Sequence, residues 1–507
     1  MKSSQAAVSQ PQAFSFPSLG KHTLIYGVGI LANKAVAFVL LPIYTRFLTP
    51  EDYGVLQLIS LILEVAAITA GARLAQGVYH FYHAAESKVD KSKVLITATA
   101  LSVLTFGCVA LLGFSVSSQI AGLVFQSSDP YAYYVRIAVA AMAFESLIVV
   151  PLAYLQLADR SKLFVFVQLA KLVIQASLNI LLVVFVGLGV SGVLWSGLIA
   201  NISIGSFLCW ILIRNHGYVG SAGVAGRLIK YGYPLVITQV ATMMLLLGDR
   251  FFLNRVAGQA AVGLYGLAYQ FALIVTLVAF VPFEQVWRPK RFEVAKRSDR
   301  EVIFQKAFTY LNVGLCLGAV GVSLFSWDII RIMADPSFHP AAMWVGPITF
   351  LCILQAWTSF HNMGLMVTER TGWYAVANWA GAIVALAGFV FLVPVLEILG
   401  AILSVGLALV VRLALVYGLG TYFWPIRYRW KPTLWCGVTG IVLVLVGQYF
   451  RPDGIAASVA WSSVLTCLCL ACLWVFPVLG REEKKKLKST IRAGLRGAVR
   501  LIVGGRT

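Results

Sequence analysis

The feature that most constrains this chain is the recurrence of long apolar runs along its whole length. Each run approaches or exceeds the roughly 18 to 20 residues that a helix needs to cross a bilayer. Short polar connections separate the runs. The mean hydropathy is +0.85 and 12% of the residues are charged, about half the charged share of a water-soluble protein. These features predict an all-α, polytopic membrane protein.

Apolar runs bounded by charges or by Gly and Pro predict about fourteen transmembrane helices. The predicted spans lie near residues 23–46, 54–82, 94–117, 134–157, 163–186, 193–213, 232–254, 263–285, 306–327, 344–366, 373–396, 400–420, 434–450 and 456–478. The first twenty residues are polar and have no apolar core of signal-peptide length, so we expect a disordered cytoplasmic tail.

The excess of forty Lys and Arg over twenty Asp and Glu follows the predicted topology. With a cytoplasmic N-terminus, thirty of the forty basic residues fall in inner segments and six in outer loops. This bias satisfies the positive-inside rule and predicts that both termini face the cytoplasm. The basic excess therefore needs no nucleic acid partner.

The stretch LLPIYTRFLTPEDYG, residues 40–54, predicts a tight turn at the outer face. Thr49 has the residue type of an N-cap, Pro50 suits the first helical position, and Glu51 and Asp52 place negative charge in the first turn. Leu48 and Tyr53 would form a hydrophobic staple across this helix start.

Landmarks in the two halves of the chain recur at one offset, which predicts an internal repeat of six spans. The pairs are Gly54 with Gly263, Asp129-Pro130 with Asp335-Pro336, Asp159-Arg160-Ser161 with Glu369-Arg370-Thr371, and Gly192 with Gly400. Because six is even, the repeats have the same orientation, as in transporters with parallel repeats. The predicted organisation is a tail (1–20), an N-terminal lobe (21–213), a cytoplasmic linker (214–231), a C-terminal lobe (232–420), two extra helices (434–478) and a basic amphipathic tail (481–507).

Three stretches resemble the polysaccharide exporter and O-antigen flippase family of the multidrug/oligosaccharidyl-lipid/polysaccharide exporter superfamily. They are LLPIYTRFLTPEDYG (40–54), GDRFFLNRVAGQAAVGLYGLAYQ (248–270) and VWRPKRFE (286–293), within a resemblance over residues 20–420. The resemblance implies a flippase of the bacterial cytoplasmic membrane. It would move undecaprenyl-diphosphate-linked oligosaccharide from the inner to the outer leaflet by alternating access, for surface polysaccharide biosynthesis. Implied partners are this lipid-linked glycan, membrane lipids, and glycan polymerase or glycosyltransferase machinery.

Cations inside predicted spans are the first candidates for substrate contact, because charges in the bilayer core are costly. Lys34 lies in the middle of span 1, where it either contacts the diphosphate or glycan or pairs with a carboxylate of span 2 or 4. Arg73 is favoured for the cavity within span 2. Arg250 and Arg412 are weaker candidates, since an Arg near a span end can snorkel to the interface.

Span 5 carries a polar stripe through the predicted hydrocarbon region. Its members are Gln168, Lys171, Gln175 and Asn179, which fall on one helical face. The stripe either lines a cavity or joins helices through buried amides. Polar residues on spans 7 and 10 repeat the pattern, which favours a lined cavity.

A buried carboxylate could couple proton or sodium movement to the rocking of two lobes. Glu145, in the middle of span 4, is the first candidate, followed by Glu64 and Asp249. Glu64 and Arg73 are nine residues apart. On one continuous helix this spacing places them on opposite faces, so only one of them can face a cavity. A membrane potential or a downhill substrate gradient would need no such carboxylate.

Two other transporters compete with the flippase, and an enzyme is disfavoured. A multidrug/cation antiporter of the same superfamily would favour twelve spans and an acidic cavity, and a lipid-II-type peptidoglycan precursor flippase would share the diphosphate headgroup. No HExxH, GxSxG or phosphate-binding loop occurs, and the outer loops are too short for a catalytic domain. The eight cysteines all lie in apolar segments without zinc-ligand spacing. We expect no metal and no cofactor.

Overall fold

A computed structural model describes residues 41–71, 74–158 and 160–475, without the side chains of residues 75, 233–235, 237, 238 and 289. Every regular element in these ranges is a helix, which confirms the all-α prediction. The predicted N-terminal tail, most of span 1 and the basic tail 481–507 lie outside the described residues.

The described residues of the predicted N-terminal lobe form eight helices and one π-helical segment. They are α1 (Leu41–Phe47), α2 (Pro50–Thr69), α3 (Leu74–Ala84), α4 (Lys88–Ser115), α5 (Ser117–Phe125), α6 (Tyr131–Leu157), α7 (Ser161–Asn179), the π segment Ile180–Phe185 and α8 (Gly189–His216). Helix α7 and the π segment together cover span 5.

The C-terminal lobe and the two extra helices continue the chain. They are α9 (Ala222–Val275), the π segment Thr276–Phe280, α10 (Val281–Ala295), α11 (Arg300–Met333), the 3₁₀ turn Pro336–Ala341, α12 (Ala342–His361), α13 (Met363–Val367), α14 (Thr371–Phe391), α15 (Val393–Phe423), α16 (Trp430–Tyr449) and α17 (Ile455–Val475).

The predicted start of α2 is confirmed in atomic detail. The backbone N–H of Asp52 donates to the Thr49 hydroxyl at 3.2 Å, and the backbone N–H of Thr49 donates to the Asp52 carboxylate at 3.1 Å. This reciprocal capping box satisfies two donors that the first helical turn leaves open. Pro50 occupies the first turn, where no intrahelical bond needs its missing N–H.

The continuous helix predicted for span 2 is wrong, whereas the separation of spans 7 and 8 agrees with the structure. Span 2 was expected to be one helix, but α2 ends at Thr69 and Gly71 adopts a φ of +82°, a left-handed conformation that suits glycine. Because α2 ends at Thr69, the spacing of Glu64 and Arg73 does not place them on opposite faces of one helix. Span 7 and the larger part of span 8 are two helical stretches of α9, interrupted at Gly258 with a φ of +78°, in the connection predicted between them.

Twelve described segments are long and apolar enough to cross a membrane. One of them, Gln239–Arg288, has 50 residues and covers most of predicted span 7 and all of predicted span 8. The chain is therefore a multi-pass membrane protein, while the total of fourteen spans stays a prediction.

The two lobes meet at the ends of their helices that the charge bias assigns to the outer side. We call this contact the outer closure. Its hydrogen bonds join Tyr131 with Gln259, Asn254 with Val124, Arg255 with Leu123, and Thr45 with Met333. These side-chain hydrogen bonds join described residues of 41–216 to described residues of 239–420. The hydrogen bonds of the outer closure thus join the two lobes on the predicted outer side.

Candidate functional site

A polar cavity of about 670 Å³ lies in the N-terminal lobe. Helices α1, α2, α6, α7 and α8 line it, and α9 of the other lobe contributes Gln270. The titratable and amide side chains on its wall are Tyr44, Tyr53, Gln57, Glu145, Gln168, Lys171, Gln175, Asn179, Asn201 and Gln270. This density of polar groups is unusual inside an apolar helical bundle, where each would otherwise face hydrocarbon.

The structure places the whole predicted stripe of span 5 on this one wall. Gln168, Lys171 and Gln175 are half-buried, and Asn179 is fully buried. Their spacing of three to four residues sets them on one face of α7 because a helix turns once in about 3.6 residues. What the stripe binds stays a prediction.

Asn179, at the last position of α7, is held by two neighbouring helices. Its amide donates to the Tyr44 hydroxyl at 2.7 Å, and the Ser196 hydroxyl donates to its carbonyl oxygen at 2.5 Å. This network ties α7 to α1 and α8 just before the π segment. Asn179 therefore has an observed role in positioning helices in addition to its place on the cavity wall.

Lys171 and Glu145 provide opposite charges on the same cavity wall, from the middle of α7 and α6. No carboxylate of the described residues lies within ion-pair distance of the Lys171 ammonium, and Glu145 is exposed to the cavity rather than packed. A cation without a fixed partner can bind an anionic group, and a solvated carboxylate can exchange a proton or cation.

Several wall residues were missed by the sequence analysis. Gln57 and Ser60 lie one turn apart on α2, Asn201 comes from α8, and Gln270 from α9. The three-residue spacing of Gln57 and Ser60 was a usable signal. Nothing in the sequence indicated Gln270, because only the contact between lobes brings it to this cavity.

Lys34 and Arg73 lie outside the described residues. Glu64 is half-buried on α2 and is not part of the cavity wall. Their predicted roles stay predictions.

Asp249 and Arg250 form a buried ion pair in α9, away from the cavity wall. The Arg250 guanidinium and the Asp249 carboxylate are 3.0 Å apart, and both side chains are almost fully buried. The Tyr265 hydroxyl donates to the same carboxylate at 2.6 Å. Tyr265 and Tyr269 also present their ring faces to the guanidinium, at 5.5 and 5.1 Å. The partners of the Arg250 guanidinium in this conformation therefore all come from α9.

A second, apolar cavity of about 490 Å³ lies between the C-terminal lobe and the first extra helix. Its wall comes from α11, α12, α15 and α16, with side chains such as Leu315, Phe350, Leu407, Ile441 and Leu445. An apolar space of this size suits a hydrocarbon chain better than a sugar or a phosphate.

Comparison with known proteins places the fold among exporters. A solved structure titled as the lipid II flippase MurJ in an inward closed conformation superposes with a TM-score of 0.72 at 12% identity, covering 89% of this chain and 99% of that chain. An inward-facing MATE multidrug transporter of the MOP superfamily gives 0.64 at 12% identity, covering 80% and 98%. A MOP superfamily transporter from Pyrococcus furiosus gives 0.56 at 12% identity, covering 79% and 95%.

No curated protein matches the chain significantly by sequence. The profile of a family described as polysaccharide biosynthesis protein matches residues 19–295, more than half of the chain, and this match includes α2, the whole cavity wall and the break at Gly258. A fold shared with MurJ and the MATE transporters agrees with that assignment. The chain therefore belongs to the polysaccharide biosynthesis protein family, and its fold is similar to those of MurJ and the MATE transporters.

Proposed function

We propose that this protein is a flippase that carries undecaprenyl-diphosphate-linked oligosaccharide from the inner to the outer leaflet of a bacterial cytoplasmic membrane. The observation that supports this most is the polar cavity, whose wall combines Lys171 with amides of α2, α7, α8 and α9. A sugar headgroup needs hydrogen-bonding partners in place of water, and a diphosphate needs positive charge.

The two cavities together match an amphiphile. In this proposal the N-terminal cavity receives the hydrated headgroup, and the apolar cavity at α11, α12, α15 and α16 accommodates part of the prenyl chain. The outer closure leaves the predicted inner side as the side from which substrate enters. Opening the outer closure would then release the headgroup to the outer leaflet, as alternating access requires.

The lipid-II-type flippase is the alternative that the fold supports, because the superposition with MurJ covers 89% of this chain. Its headgroup shares the diphosphate, so the cavity chemistry suits both. A multidrug/cation antiporter fits less well, because a free Lys171 repels cationic drugs, although Glu145 on the same wall would attract them.

The proposal is tested by following lipid-linked glycan in cells that depend on this gene. We expect Lys171→Ala to accumulate glycan lipid in the inner leaflet and to reduce surface polysaccharide at least several-fold. Lys162→Ala is the matched control, because Lys162 is exposed at the start of α7 and lies off the cavity wall. Normal flipping by well-expressed Lys171→Ala protein would remove Lys171 from the site.

Normal surface polysaccharide after deletion of the gene, with cell-wall precursors accumulating instead, would favour the lipid-II-type alternative. Glycosyltransferase and polymerase genes beside this gene would support glycan export, and a drug-response regulator there would favour the antiporter.

A further inference from the structure

A buried cation in the C-terminal lobe has no counter-charge beside it among the residues that the structure describes. Arg412 of α15 is 3% exposed. Its Nη1 donates to the Gln355 side-chain oxygen at 3.1 Å, and its Nη2 donates to the Tyr374 hydroxyl at 2.9 Å. Both partners are neutral, and its Nε–H has no partner within the described residues. A buried guanidinium normally has a carboxylate beside it, because desolvating the charge is costly.

A second unsatisfied polar side chain lies on α14, the helix that also carries Tyr374. Asn378 of α14 is 1% exposed, and neither its amide nitrogen nor its carbonyl oxygen has a partner in the described part of the chain. Buried amides are almost always hydrogen-bonded, so both polar atoms of Asn378 are free to pair with a further polar group.

The helix geometry brings Asn378 and Arg412 together. A Cβ at Gly381 of α14 would lie 3.3 Å from the Arg412 Cβ, so the Arg412 side chain starts at the level of Gly381. Its far end reaches the Tyr374 hydroxyl, seven residues earlier on α14. Residues 374, 378 and 381 share one helical face, and Asn378 lies between the two ends. The Arg412 side chain therefore runs along α14 at the height of Asn378.

The position of this cluster parallels that of the N-terminal cavity. Helices α12, α14 and α15 correspond in the predicted repeat to α6, α7 and α8, which line that cavity. The landmark pair Asp159 and Glu369 has an offset of 210 residues. With this offset, Asn378 is the repeat equivalent of Gln168 in the polar stripe. The cluster thus places a cation at the position in the C-terminal lobe that is equivalent to the cavity wall of the N-terminal lobe.

We propose that Arg412, Gln355, Tyr374 and Asn378 form a second oxyanion site, in the C-terminal lobe, that takes the diphosphate of the lipid substrate. This inference rests on the proposed flippase function. The Arg412 Nε–H and the Asn378 amide are open donors, and the planar guanidinium suits a phosphate oxygen pair. Gln355 and Tyr374 are only half-buried, so the guanidinium is reached from their side. Two cationic sites, Lys171 and Arg412, would let the headgroup be passed between lobes.

Binding measurements on the purified full-length protein in detergent test this site. The probes are undecaprenyl diphosphate, undecaprenol and inorganic pyrophosphate, and the readouts are tryptophan fluorescence titration and the shift in thermal unfolding. We expect the wild type to bind undecaprenyl diphosphate more tightly than undecaprenol. Arg412→Gln should weaken diphosphate binding about tenfold, the usual loss for one charge-assisted hydrogen bond, and leave undecaprenol binding unchanged. Arg412→Lys should retain part of the preference.

Arg331→Gln is the matched control, because Arg331 is exposed at the end of α11 and should leave both affinities unchanged. If Arg412→Gln does not fold, Asn378→Leu provides the same comparison with a smaller expected loss of diphosphate binding. A role in packing alone would lower thermal stability without changing the preference for diphosphate over alcohol, and that result overturns the site.

Three further outcomes separate the two proposals. Loss of diphosphate preference in Lys171→Gln but not in Arg412→Gln overturns only the second site. Equal binding of both lipids by the wild type overturns the flippase proposal and the second site together. Stabilisation of the wild type by pyrophosphate that depends on Arg412, with undecaprenyl diphosphate affinity independent of it, assigns the site to soluble anions and overturns the substrate assignment.

Discussion

Gly54 and Gly263 pack backbone against backbone where the two lobes meet. A Cβ on Gly54 would lie 1.9 Å from the Gln259 carbonyl oxygen, and a Cβ on Gly263 would lie 2.0 Å from the Pro50 carbonyl oxygen. The predicted repeat assigns these two glycines to equivalent positions. The first turns of two equivalent helices therefore form the centre of the outer closure, and only glycine permits so close an approach.

Gly54→Leu should prevent the outer closure from forming. The side chain would meet the backbone rather than a flexible side chain, so the lobes must separate to accommodate it. We expect surface polysaccharide to fall several-fold, and a cysteine introduced at Gln57 to become more reactive to a thiol reagent added from outside. Gly107→Leu is the control, because a Cβ at Gly107 in α4 meets nothing within 4 Å. Wild-type export by Gly54→Leu would show that the contact need not close during transport.

A covalent link between Tyr131 and Gln259 should lock the outer closure. The Gln259 amide donates to the Tyr131 hydroxyl at 2.8 Å, which joins α6 of one lobe to α9 of the other. The double variant Tyr131→Cys, Gln259→Cys should lose transport when a bifunctional methanethiosulfonate cross-linker joins the two thiols, and recover it on reduction. Each single variant with the same cross-linker is the control. Continued transport with the cross-link formed would contradict a gate at this place.

Asp249→Asn should destabilise the protein. The substitution leaves the Arg250 guanidinium buried without its partner, which typically costs about 3–5 kcal/mol. We expect a marked fall in the thermal unfolding temperature and in expression. Tyr265→Phe removes a single hydrogen bond to the same carboxylate, so its cost should be smaller, about 1–3 kcal/mol.

An unchanged unfolding temperature in Asp249→Asn, together with lost transport, would instead support a coupling role for Asp249. Thermal unfolding of both variants beside the wild type distinguishes the two results.

Glu145→Gln should remove any dependence of transport on a proton or sodium gradient. Glu145 is the exposed carboxylate on the cavity wall, so it is the acidic group there that can exchange a cation during the cycle. Transport in proteoliposomes with imposed gradients measures this dependence. Glu86→Gln, at an exposed position between α3 and α4, is the control. Gradient-driven transport that persists in Glu145→Gln would exclude Glu145 as the coupling group.

Helical periodicity predicted which site residues share a face of one helix, but not which helices come together. The stripe Gln168, Lys171, Gln175 and Asn179 was readable because its spacing alone sets the shared face. Gln270 and Tyr44 were not readable, because they come from helices far away in the sequence. The straight helix assumed for span 2 was also wrong, because glycine at position 71 takes a left-handed conformation that a hydropathy profile does not register.

The sequence by itself determined that this chain is a helical multi-pass membrane protein, since apolar runs long enough to span a bilayer leave the backbone only the helix for hydrogen bonding. It also determined the start of α2, because a capping box is local to four residues. Only the tertiary structure decided which charges are engaged and which are open. Arg250 and Lys171 both lie within apolar segments, yet packing gives one a carboxylate and two tyrosine rings and leaves the other on a cavity wall. Asp249 is the neighbour of Arg250 in the chain, whereas the partners of the buried Arg412 come from α12 and α14, and no local pattern records such distant partners.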